Sequence, residues 1–314
     1  MGVVYTLNGP VDASALGPTL PHEHMPLHHF AWDKDEFEPG SKHIVREWMP
    51  AVLDDLMATP FRTIVDVSPI GHGRDVEFWR ELVGDRPLHV VLCTGFYLDT
   101  HQPEWAKEKS AAEIEDVMVR EIEEGIGESD VRAGIIKLAP SPESGQSRKV
   151  CRAAVAASKR TGAAITTHTC EKNRQVFDML VGLGADPERI YIGHADFGSV
   201  KDNEYICRQG GHVLFTVWDI NYMIPERQNY ARFAELVKRG CVKNVLMSVD
   251  FAIMVHDARR PTFLSWTLYG VEGRTYSYLS RSVMPVLKRD FGLSKKELGI
   301  ITVDNPRRML DFRT

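Results

Sequence analysis

Eight short apolar runs, each followed by a stretch of helical periodicity or a loop, set the narrowest limit on what this chain can fold into. The runs are Thr19–Met25, Arg62–Ser68, Leu88–Gly95, Gly134–Ala139, Ala163–Thr169, Arg189–His194, His212–Val217 and Asn244–Asp250. Near-continuous apolar character over so few residues is the signature of strands buried on both faces, which occur in parallel sheets covered by helices. Between them lie amphipathic stretches. Ser41 to Met57 carries Ile44, Val45, Trp48, Val52, Leu53 and Leu56 as a helical stripe that Pro50 interrupts. Ser110 and Glu113 form a capping box ahead of Ile114, Val117, Met118 and Ile122, and Ser294 and Glu297 form another. Ahead of the first run, Val3 to Leu16 with Asn8-Gly9-Pro10 reads as a small hairpin. After Asp250 a long loop is expected, then helix from Tyr276 to Asp290. Strand and helix alternating eight times predicts an α/β fold, a (β/α)8 TIM barrel with a short N-terminal β-hairpin, filling residues 1–314 as a single domain.

A barrel of this kind carries its site at the C-terminal ends of its strands. The residues there are therefore the candidates. His22 and His24 stand two apart on the first run, so both rings face one way while Glu23 faces the other. Alone, such a pair is more often chance than a site. Lys137, His168, His194 and Asp250 close or nearly close the fourth, fifth, sixth and eighth runs. One strand-end histidine is ordinarily a hydrogen-bonded surface residue, and one aspartate a helix cap. All of them on one face of one barrel is the composition of a metal site. Lys137 is the unusual member. Inside Ile135-Ile136-Lys137-Leu138 it either snorkels out of the barrel mouth or is buried, and burial beside cations favours the neutral amine. A neutral amine can add CO2 to give a carbamate, an anionic two-oxygen ligand.

The chain resembles the phosphotriesterase family of the amidohydrolase superfamily. The matching stretches are Thr19-Leu20-Pro21-His22-Glu23-His24, Gly134-Ile135-Ile136-Lys137, Thr166-Thr167-His168, Ile192-Gly193-His194, Ser248-Val249-Asp250 and Val303-Asp304-Asn305-Pro306-Arg307-Arg308, in family order and over almost the whole chain. The resemblance implies a binuclear metal centre. His22, His24 and Asp250 would hold one divalent ion and His168 and His194 the other, with N6-carboxylated Lys137 and a hydroxide bridging them. Zinc is expected first, while manganese, iron and cobalt also suit these donors. Asp250 would act as proton acceptor as well as ligand, and Glu23 would fix its strand from behind.

Substrate class is less sharply marked. Tyr97 in Thr94-Gly95-Phe96-Tyr97 resembles the tyrosine that lactonase members place over the metals. There it would hydrogen-bond a developing oxyanion; otherwise it is rim packing. Phe215-Thr216-Val217-Trp218-Asp219 departs from the Asp-Arg-Tyr segment of the best-known lactonases, which weakens a long-chain acyl-lactone assignment. Trp105, Trp218 and Trp266 fall in loops, where they line the pocket or pack in the rim. Arg259, Arg260 and Arg274 follow Asp250, where an arginine binds a phosphate or carboxylate or stays solvated. The expected activity is hydrolysis of a lactone or related carboxylic ester, with side activity on organophosphate triesters. The alternatives are a phosphotriesterase, an amidase of N-acyl compounds and a hydrolase of phosphorylated sugar lactones.

Composition excludes other classes. The net charge is −5 with both signs spread along the chain, so nucleic acid is not an expected partner. No apolar run approaches the roughly 18 residues of a membrane span. Cys93, Cys151, Cys170, Cys207 and Cys241 form no paired framework, which fits reduced thiols in a cytoplasmic protein. Cys170 is expected to face a neighbouring helix. The start, Met1-Gly2-Val3-Val4-Tyr5-Thr6, matches a myristoylation pattern but reads better as a first strand, and shows no secretory signal. A small-molecule substrate and, by resemblance, a homodimer are expected.

Overall fold

The computed structural model describes residues 2–24, 42–169, 171–219, 223–225, 227–257, 260–263 and 274–312, with 253–257 and 260–263 described in backbone only. The opening hairpin pairs β1 (Val3–Thr6) with β2 (Gly9–Asp12) antiparallel. The barrel strands are β3 (Thr19–Glu23), β4 (Thr63–Asp66), β5 (His89–Gly95), β6 (Ile135–Leu138), β7 (Ile165–Thr167), β8 (Ile190–Gly193), β9 (His212–Phe215) and β10 (Val245–Met247). They lie side by side in chain order and pair in parallel, forming one sheet of eight. The seam between β10 and β3 is joined just beyond the strand ends, where the His24 N–H donates to the Phe251 carbonyl at 3.0 Å. The fold is the expected barrel.

Helices cover the outside: α1 (Lys42–Met57), α2 (Val76–Val83), α3 (Glu104–Glu108), α4 (Ala111–Glu123), α5 (Gly145–Thr161) and α6 (Asn173–Gly182). Then come α7 (Val200–Arg208), α8 (Gln228–Lys238), α9 (Met284–Phe291), α10 (Lys295–Gly299) and α11 (Asn305–Leu310). Both expected capping boxes form, at Ser110 with Glu113 and at Ser294 with Glu297. Three local expectations need correction. Pro50 does not interrupt α1, which runs through it. Trp48, expected on the buried stripe, is 40% exposed, and Met49 is buried instead. The long loop expected after Asp250 contains an antiparallel ribbon, β11 (Ile253–Asp257) with β12 (Arg260–Phe263).

Alternation along each strand sorts the side chains into two cores. Val65, Val91, Cys93, Ile135, Ala164, Tyr191, Leu214 and Leu246 pack with one another inside the barrel, above Val4, Leu16, Met309 and Leu310. Their sequence neighbours Ile64, Leu92, Ile136, Ile165, Ile192, Phe215 and Met247 pack outward under the helices. The hairpin and α11 thus plug the N-terminal end. Polar inward residues are left at the opposite end. Cys93, Cys151, Cys207 and Cys241 are buried free thiols; Cys170 lies outside the described residues.

Candidate metal centre

At the C-terminal ends of the strands, the predicted residues converge. The Nε2 atoms of His24, His22 and His194 lie 3.3, 3.8 and 3.9 Å from the Asp250 carboxylate. Single donor atoms of His22, His194 and Asp250 all fall within 4.8 Å of one another, a grouping able to hold a metal ion. Lys137 Nζ is 3.0 Å from His22 Nε2, and Lys137 is fully buried rather than snorkelling out. His168 Nδ1 is 2.8 Å from His194 Nε2. Tyr97 reaches the same cluster, its hydroxyl 3.1 Å from His168 Nε2. All seven predicted site residues therefore meet at one end of the barrel.

The backbone makes unusual concessions there. His194 and Asp250 both have φ of +54°, in the left-handed region that non-glycine residues avoid at a cost on the order of 1 kcal/mol each. Two glycines permit the close packing. A Cβ on Gly95 would stand 2.1 Å from the Lys137 carbonyl oxygen. A Cβ on Gly193 would stand 3.0 Å from His22 Cε1 and 3.1 Å from its Nδ1.

A set of contacts that sequence reading missed holds the rings. His24 Nδ1 is 3.0 Å from Ser68 Oγ, and the Ser68 N–H donates to Asp66, which also accepts from Trp79 Nε1 at 2.6 Å. His194 Nδ1 is 2.7 Å from Thr216 Oγ1. Thr216 is fastened in turn by Asp196, which accepts from the N–H groups of Thr216 and Val217 and from Asn229. Burial pushes the Asp196 carboxyl up to about 6. The signal available in the sequence was a polar residue at or just beyond the strand end, Ser68 and Thr216, each on the next strand round from the ring it holds.

Glu23 behaves as expected of it, facing away from the cluster. Its carboxylate accepts from Ser248 Oγ at 2.5 Å and from the N–H groups of Val249 and Phe251 at 2.8 and 2.7 Å, so β3 grips the segment carrying Asp250. Burial pushes the Glu23 carboxyl up to about 8.

Electrostatics suit the cluster to binding a cation. Burial, with Lys137 adding to it, holds His22 well below the usual histidine range, and burial with His194 does the same for His168. Burial lowers His194 to about 4. Burial opposes ionisation of Asp250, but His194, His24 and His22 outweigh it and keep the carboxyl well below its usual value. The result is a carboxylate beside the neutral rings of His22 and His194, the protonation states that metal coordination requires. The buried nitrogen His22 Nδ1 has no hydrogen-bond partner among the described residues.

Two other candidates fall elsewhere. Trp218 is fully buried, donates to the Ser248 carbonyl at 2.9 Å and packs on Tyr230 and Phe233, so it is core and not pocket lining. Arg274 is neither solvated nor presented to a ligand in the manner expected. It is 1% exposed, and its guanidinium donates to the carbonyls of Thr216 and Val249, clamping the segments after β9 and β10 together. Trp105 is half-buried against Phe96. Trp266 and Arg259 lie outside the described residues, and the side chain of Arg260 is not described.

The family model described as the phosphotriesterase family matches residues 2–310. The chain belongs to that family. A "Phosphotriesterase homology protein" of Mycobacterium tuberculosis is 30% identical over 98% of this chain and 97% of its own length. An "N-acetyltaurine hydrolase" of Tetraodon nigroviridis is 26% identical, covering 99% of both chains. Among solved structures, a variant of an organophosphorus hydrolase from Deinococcus radiodurans superposes with a TM-score of 0.87 at 28% identity, covering 98% of this chain and 97% of the other. The family member described here is a hydrolase, an enzyme of a kind that acts on small molecules. Among its described residues no helix is long and apolar enough to cross a membrane.

Proposed function

We propose that this hydrolase opens a lactone or related carboxylic ester at a two-metal centre. His22, His24 and Asp250 would hold one divalent ion and His168 and His194 the other, with Lys137 carrying a carbamate between them. The observation that carries this reading is the convergence of three Nε2 atoms on Asp250, with Lys137 Nζ 3.0 Å from one of them. The donor set fits zinc first, with manganese, iron and cobalt also accommodated. Such ions, when bound, lower the pKa of a water and polarise the oxygen of the scissile group.

The chain's own residues do the rest. Asp250, kept ionised, accepts the proton of the attacking water and delivers it to the departing alkoxide, so that ester and water become a carboxylic acid and an alcohol. Ser68 and Thr216 keep the His24 and His194 rings oriented. Tyr97, its hydroxyl beside His168, hydrogen-bonds the oxyanion that develops on the carbonyl oxygen. That tyrosine, in Thr94-Gly95-Phe96-Tyr97, resembles the one that lactonase members place over the metals, and this likeness supports an ester or lactone.

A second reading is favoured by one finding, the full-length likeness to an N-acetyltaurine hydrolase. The same arrangement would cleave an N-acyl amide. Zinc-loaded protein assayed on parallel panels of lactones, N-acyl amino acids and an aryl phosphotriester separates the readings. The fastest turnover is expected on a lactone. A clear preference for the N-acyl panel would replace the first reading with the second.

A further inference from the structure

Three of the four clustered imidazoles have a hydroxyl on one ring nitrogen: Ser68 on His24, Thr216 on His194 and Tyr97 on His168. His22 is the exception. Its Nε2 faces Lys137 and Asp250, while its Nδ1 is buried with no hydrogen-bond partner among the described residues. One hydroxyl close by is in the same condition. Thr166 Oγ1 is also buried without a hydrogen-bond partner among the described residues.

The topology brings these two residues to the same side of the barrel interior. Thr166 sits on β7 in register with Lys137 on β6. It alternates with Ile165, which packs outward, and follows Ala164, which packs inside, so Thr166 faces the barrel interior as Lys137 does. On the other side of β7, Thr166 is in register with Tyr191 of β8, two residues before Gly193. Gly193 is where the His22 ring lies, its Nδ1 only 3.1 Å from where a Cβ would stand. A buried hydroxyl and a buried ring nitrogen, both without a hydrogen-bond partner among the described residues, thus belong to residues that the register and the Gly193 approach bring to one side of the barrel.

We propose that Thr166 is the positioning residue for His22, engaging its Nδ1–H through one buried water. A single water with two such partners satisfies both atoms. The proton is then fixed on Nδ1 and the lone pair on Nε2, aimed at the cluster, as Ser68 and Thr216 do for their own rings. This inference rests on the two-metal reading above.

The test uses the full chain, stripped with a chelator and titrated with zinc against a chromophoric chelator. Thr166→Ser keeps the hydroxyl and should bind zinc within about threefold of the wild type, whereas Thr166→Val should weaken uptake of one of the two ions by about 10–100-fold. Far-UV spectra and urea unfolding of metal-free Thr166→Val should report a folded barrel, so that a loss of zinc uptake is read at the site and not in folding. A second measurement needs no variant. In nitrogen-15 histidine spectra of the zinc-loaded wild type, His22 should carry a slowly exchanging proton on Nδ1. Wild-type affinity in a folded Thr166→Val, or a bare His22 Nδ1, overturns the proposal while leaving the two-metal reading standing. A wild type that takes up no zinc overturns both.

Discussion

His24 and Asp250 meet across the barrel seam, Nε2 to Oδ1 at 3.3 Å, although one follows the first barrel strand and the other the last. The contact exists only when the sheet closes. Glu23, the residue between the two histidines, enforces it by gripping Ser248, Val249 and Phe251 from β3. Closure and assembly of the cluster are one event.

Asp250→Asn should therefore separate chemistry from folding. The amide is isosteric but cannot accept the proton, so kcat should fall by about 10²–10⁴-fold, with the far-UV spectrum unchanged. Activity within a factor of a few of the wild type would remove Asp250 from its role in proton transfer.

Lys137→Ala should lower metal content on purification, measured by elemental analysis. Adding bicarbonate with a short carboxylic acid should restore much of it, because a free carboxylate can occupy the place of the carbamate. Normal metal content without any rescue would rule out a bridging carbamate.

Acid should destabilise the metal-free protein in a definite window. His194 titrates at about 4 in the folded chain because of burial, against 6.5 unfolded. Folding thus favours the neutral ring. Its contribution is complete above pH 6.5 and is lost as pH falls towards 4. The separation corresponds to roughly 3 kcal/mol from this residue. Urea unfolding of chelator-treated protein at pH 7, 6, 5 and 4.5 should follow that slope, and His194→Asn should flatten it. Equal slopes in the two proteins would refute the assignment.

Tyr97→Phe removes one hydroxyl and leaves the ring packed between His72, His101 and His168. If that hydroxyl stabilises the oxyanion, kcat on lactones should fall by about 10²-fold while KM changes little. A change confined to KM would make Tyr97 a binding residue of the rim.

Arg274→Met should cost stability rather than substrate affinity. The lost bonds tie Thr216, which holds His194, to Val249, which precedes Asp250. A drop of about 2 kcal/mol in unfolding free energy is expected, with KM for a neutral lactone unchanged. An unchanged urea midpoint with a raised KM would return Arg274 to the substrate site.

Much of this molecule was legible in one dimension. Period-two burial and strand-end chemistry are local properties, so the eight strands, their facing and the identities of His22, His24, Lys137, His168, His194 and Asp250 could be read directly. Local reading failed where a residue's surroundings come from distant strands. Pro50 is tolerated inside α1, and Trp48 yields its buried place to Met49, because the packing of the helix outweighs its local pattern. Arg274 looked like a loop charge or a ligand contact, yet barrel closure buries it against the carbonyls at the ends of β9 and β10, and of the two places open to Trp218 the structure gives the packed one.

The sequence by itself determined which chemical groups stand at the strand ends, because alternation and composition carry that information. Only the tertiary structure decided that His22 and His24 have partners at all. Distances between strands, the left-handed backbone at His194 and Asp250, and the hydroxyls behind each ring arise from closing the sheet on itself. No residue's neighbours along the chain contain that geometry.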